Sequence, residues 1–236
     1  MDYQRILADF QKDYYTQLIM FCVEVTALII GITYVQKDKT SNLFLFYIAF
    51  DLIILLTNWV LQLSHTPIEQ TEVFINITNV LIGLVELSVY FYFFRQILAG
   101  KGIQRWLIYS FLLYSAITLG NTILSIGEFT KYNRYIAYSA GALEFLLLLP
   151  PCFFYYYQLL NFTAGLSLKA TPSFWIVTGI FFYSIISIPY YLLNTYIYSI
   201  NHQYRNLTEA ALYYIPFTIN FIFLIKAFTC KKPLTI

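Results

Sequence analysis

Residues 73–98 form a predominantly apolar run, long enough to cross a bilayer, which takes ~20 residues. It carries a single carboxylate, Glu86, near its middle. A carboxylate at that depth costs roughly 2.5–3.5 kcal/mol on insertion scales. Three further apolar runs carry the same burden, in Glu24, Asp51 and Glu144. No Lys, Arg or His lies deep in any of these runs, so a simple buried ion pair is excluded.

The composition agrees with a chain that lives in lipid. Of 236 residues, 59% are hydrophobic and only 11% charged, where soluble domains are nearer ~25% charged. A net charge of +2 gives no reason to expect a nucleic-acid partner. Cys22, Cys152 and Cys230 form no paired or Cys/His cluster, which argues against structural zinc and a disulfide framework. His65 and His202 stand alone in connecting segments and read as solvated loop residues. No cofactor is expected.

Seven spans are predicted, at about 15–36, 43–64, 73–97, 105–127, 134–159, 173–199 and 208–229. The fold class is therefore all-α, a polytopic seven-helix bundle forming one membrane domain over residues 1–236. Residues 1–14 hold five charges and do not resemble a cleavable leader. They read as a short interfacial segment, and residues 230–236 as a basic tail. An odd number of spans puts the termini on opposite faces. The N-terminal face collects five cations (Arg5, Lys12, Lys131, Arg134, Arg205) and the other face collects nine. The positive-inside rule then predicts an external N-terminus and a cytoplasmic C-terminus.

A weak repeat runs through the spans. The even-numbered ones carry Asn58, Asn121 and Asn194, and seven residues before each lies a polar side chain: Asp51, Tyr114 and Ser187. The odd ones carry Glu24, Glu86 and Glu144. Three hairpins of similar design plus a seventh helix would give this pattern; so would chance. Asn76, Asn79, Gly83 and Glu86 recur at helical spacing, which predicts one polar face turned into the bundle. Pro150, Pro151, Pro189 and Pro216 fall inside spans five to seven, where each removes a backbone donor.

Two states make such acids tolerable. Either they are protonated and donate to Asn or Tyr, or they stay ionised around a bound cation or cationic ligand. The expected function is a receptor-like or sensory protein that takes a small ligand or cation in an outward-facing polar cavity. Glu24, Asp51, Glu86 and Glu144 would supply the charge, and Asn58, Asn79, Asn121 and Asn194 the orienting hydrogen bonds. The bilayer is the expected environment. A cytoplasmic signalling protein or a second copy of the chain is the expected macromolecular partner. The alternatives are a proton- or cation-coupled transporter or channel and, third, an intramembrane lipid enzyme, although no nucleophile or metal constellation is visible. The purely structural alternative is that neutral acids hydrogen-bond the helices together, at ~1 kcal/mol each.

Known seven-span classes do not fit. Phe93-Phe94-Arg95-Gln96 lacks the acidic-Arg-aromatic triplet of G-protein-coupled receptors, and Tyr214-Ile215-Pro216-Phe217 lacks their Asn-Pro-x-x-Tyr pattern. Retinal proteins need a lysine in the middle of span seven, whereas Lys226 lies near its end. The helix-borne histidines of seven-span zinc hydrolases are missing.

Overall fold

In lipid, every backbone N–H and C=O must be satisfied within its own segment, and long apolar runs answer this by forming helices. The computed structural model describes residues 3–34, 39–63, 68–127, 132–162, 171–200, 212 and 214–230. Seven helices are found there: α1 (Tyr3–Tyr34), α2 (Lys39–Leu63), α3 (Ile68–Ile97), α4 (Lys101–Gly127), α5 (Tyr132–Phe162), α6 (Pro172–Ile200) and α7 (Ile215–Phe228). Each falls on a predicted span. Five of them are long and apolar enough to cross a membrane: α1, α2, α3, α5 and α6. The chain is thus consistent with a helical membrane protein.

Three local features differ from the sequence reading. The predicted interfacial segment and the first span are one helix, since α1 runs unbroken from Tyr3. Pro216 lies in the first turn of α7, directly after Leu212 and Tyr214, which are in π-helical conformation, so the span changes helix type there rather than running as one α-helix. The polar face of α3 does not turn inward along its whole length. Gly83 and Glu86 are buried, but Asn79 is exposed. The apolar stretch of α3 begins at Ile77, so Asn79 lies in its first turn, where a polar side chain can leave the bundle.

The helices pack in chain order, α1 on α2 and so on to α7, and α7 closes the ring on α1, while α3 also meets α5. Short connections make each neighbour antiparallel. The α3–α4 turn is three residues long and ends on Gly100, whose φ of 124° suits glycine. Gln158 Nε2 of α5 donates to Ala99 O in that turn at 2.9 Å.

Side-chain contacts fix the register around the ring. Trp59 Nε1 donates to Gln17 Oε1 at 2.7 Å near one end of the α1–α2 pair, and Gly31 packs against Leu45 near the other. Glu24 is therefore level with Leu52, beside Asp51. Phe44–Phe93 and Tyr47–Tyr90, with ring centroids 5.5 and 6.0 Å apart, set α2 on α3 and bring Asp51 level with Glu86. Gly31 also meets Phe228, where α7 lies parallel to α1.

The surface is apolar where a soluble protein would be polar. Exposed large residues include Ile29 and Ile32 on α1, Ile53 and Val60 on α2, Tyr109 and Leu112 on α4, and Phe153 on α5. All four acids of the spans are buried. That inversion is what a lipid solvent selects.

Candidate functional site

The four acids lie in one layer of the bundle. Between α3 and α4, Phe91 meets Trp106 and Gly83 meets Tyr114. Tyr114 Oη then donates to Glu144 Oε2 at 2.9 Å, which ties α4 to α5. Glu144 is consequently one helical turn, ~5 Å, from the level of Glu86. Asp51 is within electrostatic reach of both Glu24 and Glu86, and Glu86 is within reach of Glu144. The acids form a row across the bundle, Glu24–Asp51–Glu86–Glu144, rather than a column along it.

Gly83 allows the Tyr114–Glu144 bond. A Cβ there would stand 2.6 Å from Tyr114 Oη and 2.9 Å from Glu144 Oε2, so only glycine leaves room for both groups against α3. One turn from the acids, Tyr47 and Tyr90 stand beside Glu86, and the Tyr47 hydroxyl is buried with no hydrogen bond. Asn220 Nδ2 of α7 donates to Tyr90 Oη at 2.8 Å. Each of the seven helices thereby places a polar side chain in the interior: Glu24, Asp51, Glu86, Tyr114, Glu144, Ser187 and Asn220.

Several of these groups lack a protein partner. Both oxygens of Glu24, and one oxygen each of Glu86, Glu144 and Asn58, are buried with no hydrogen bond. The same holds for the hydroxyls of Ser184 and Ser187 on α6. Other helix hydroxyls return to their own backbone, as Thr178 does to Phe174 O at 2.6 Å and Thr118 to Tyr114 O at 2.6 Å. Ser184 and Ser187 do not, although both are fully buried. Ser184 stands between Val177, which faces Cys152 of α5, and Tyr191, which packs on Phe145 and Gly141 of α5. The two serines are therefore level with Glu144 on the face of α6 that meets α5.

Among the described residues no cation compensates the row. Every Lys and Arg whose side chain is described is exposed: Lys39, Arg95, Lys101, Arg105 and Lys226. Among the described residues, no three His, Cys, Asp or Glu side chains gather closely enough to hold a metal ion.

The predicted site residues divide accordingly. Glu24, Asp51, Glu86 and Glu144 come together. Asn58 is half-buried two turns beyond Asp51, towards the end of α2 that carries Trp59. Asn79 is exposed. The side chains of Asn121 and Asn194 lie outside the described residues, as do His65 and His202. Tyr47, Tyr90 and Asn220 were missed by the sequence reading, though a signal existed. Tyr47 precedes Asp51 by four residues and Tyr90 follows Glu86 by four, which puts each one turn away on the same face. Asn220 is the one amide in the apolar run of α7.

On the side of the row away from Asn58 the bundle is closed. Phe44, Phe93, Phe94, Leu148 and Phe228 are almost wholly buried there, and Phe44 meets Phe93 edge to face.

Together these features are consistent with a helical membrane protein and show a buried acidic layer. Comparison goes no further: no protein family, curated protein or solved structure matches the chain.

Proposed function

We propose that the protein is a receptor-like or sensory membrane protein whose acid layer binds a small ligand or cation reached from the N-terminal face. In this reading all seven helices span the bilayer, the N-terminus is external and the C-terminus cytoplasmic. The carrying observation is the row of four buried acids with no cation beside it among the described residues. Neighbouring carboxylates at low dielectric repel strongly, so they need protons or a positive occupant. An interior that changes occupant changes helix packing at the same point, because every helix contributes to that layer.

A conduit is supported less well than a binding site. The acids spread mainly laterally, within about one helical turn of depth, whereas a proton or ion path needs groups along the membrane normal. The packed phenylalanines beyond the row interrupt such a path. Transmission would instead run to a partner at the exposed cations Arg95, Lys101 and Arg105 around the α3–α4 turn.

Tryptophan fluorescence tests this reading. Trp59 is bonded to Gln17 on the N-terminal side of the row, while Trp106 and Trp175 lie near the other ends of their helices. A Trp106→Phe/Trp175→Phe protein in nanodiscs leaves Trp59 as reporter. Its emission is expected to shift when pH or added cations change, with no flux of the same cation into sealed vesicles. Flux without a saturable shift would replace the receptor reading by the carrier one.

A further inference from the structure

We infer that the occupant of the acid layer is a small linear aliphatic diamine, held by its two primary ammonium groups along the row from Glu24 to Glu144. This rests on the binding-site reading above and names the chemistry of the ligand.

The missing partners set the type of atom. The unpartnered buried groups in and beside the layer are all oxygens: Glu24 Oε1 and Oε2, Glu86 Oε1, Glu144 Oε1, and the Tyr47, Ser184 and Ser187 hydroxyls. Carboxylate oxygens only accept hydrogen bonds. An occupant that keeps these acids ionised must bring donors, and a primary ammonium brings three with a positive charge. The serines are an observation independent of the acids. They are fully buried, decline the backbone bond that neighbouring helix hydroxyls make, and stand level with Glu144.

The layout sets the shape. A metal ion is a point that needs convergent ligands at about 2.0–2.6 Å, and no three candidate ligands converge among the described residues. The charge is instead drawn out. Glu24 and Asp51 face each other between α1 and α2, and Glu86 and Glu144 between α3 and α5. Packed helix axes stand ~8–10 Å apart, which matches two charges joined by a short alkyl chain better than one charge. The wall between the two ends is aromatic: Tyr47 lies 6.0 Å from Tyr90 and 6.4 Å from Phe221, centroid to centroid. Such rings accept an alkyl stem and attract ammonium groups.

The test is calorimetric titration of the full chain in nanodiscs at constant ionic strength. The probes are putrescine, ethylamine, tetramethylammonium, sodium and magnesium. Putrescine is expected to bind, ethylamine at least roughly tenfold more weakly since it makes only one charged set of bonds, and tetramethylammonium, which has no N–H donor, not at all. Glu24→Gln and Glu144→Gln should each weaken putrescine roughly tenfold or more. The probe comparison uses the wild-type chain and therefore decides the matter even if a variant fails to fold. Binding of sodium, magnesium or tetramethylammonium in preference to putrescine overturns the diamine while leaving the cation site in place. If no probe binds and pH leaves Trp59 emission unchanged, both the diamine and the binding-site reading fall.

Discussion

Glu24 is the most confined of the acids, with 1% of its surface exposed and neither oxygen hydrogen-bonded. Asp51 beside it adds like-charge repulsion, so the pair needs a proton or a positive occupant. Glu86 is the junction of the row, since Asp51, Glu144, Tyr47 and Tyr90 all reach it. Glu86→Gln keeps the shape and much of the hydrogen bonding. It is expected to leave the protein folded and inserted, with unchanged circular dichroism, but to abolish the response of Trp59 to pH and cations. Glu86→Leu removes the hydrogen bonds as well and should lower stability by about 1 kcal/mol, read by unfolding in mixed micelles. Gly83→Ala tests the adjacent contact. The added methyl must push apart Tyr114 and Glu144, and crowding of this kind costs about 1–3 kcal/mol. The same unfolding assay should show a loss that Gly102→Ala, where a Cβ meets nothing within 4 Å, does not show.

At the scale of the helices, existence was legible and orientation was not. A run of ~20 apolar residues has few alternatives to a membrane helix, and five of the seven helices are long and apolar enough to be read that way. Which face looks inward could not be read. α6 is apolar around almost its whole circumference, so Ser184 and Ser187 carry no periodic signal that separates them from an exposed serine. The polar stripe of α3 was legible at Gly83 and Glu86 but misled at Asn79, because spacing says nothing about where a helix leaves the bundle. The Asp51–Glu86 level was equally hidden, since it is set by aromatic contacts between Phe44 and Phe93 and between Tyr47 and Tyr90. Gly31 offers a test of the α1 docking that brings Glu24 to the row. A Cβ there would collide with Leu45 and stand 3.0 Å from Phe228. Gly31→Val is expected to pry α1 from α2 and α7, costing about 1–3 kcal/mol and weakening the Glu24–Asp51 contact. Cross-linking of paired cysteines at Gln17 and Trp59 should fall in parallel.

For the molecule as a whole, the polar layer and the direction of the chain are linked. Five cations on the N-terminal face against nine on the other predict that Asn58 and Trp59 stand towards the outside. Single cysteines at Asp2→Cys and Thr235→Cys, on a background without Cys22, Cys152 and Cys230, should be labelled from opposite sides of intact cells, the first from outside. Labelling of both from one side would remove the seven-span arrangement and the outward opening with it.

The most direct measurement is infrared difference spectroscopy of the carboxyl bands in the reconstituted protein. Wild type is compared with Glu24→Gln, Asp51→Asn, Glu86→Gln and Glu144→Gln while pH is varied and putrescine is added. If the acids form one responsive layer, both treatments change the carboxyl C=O and carboxylate bands of wild type, and each substitution alters the signals of the remaining acids as well as removing its own. Carboxyl bands indifferent to pH and to every cation, with four substitutions that act independently, would contradict this. The acids would then be hydrogen-bonded struts between helices, with no binding role.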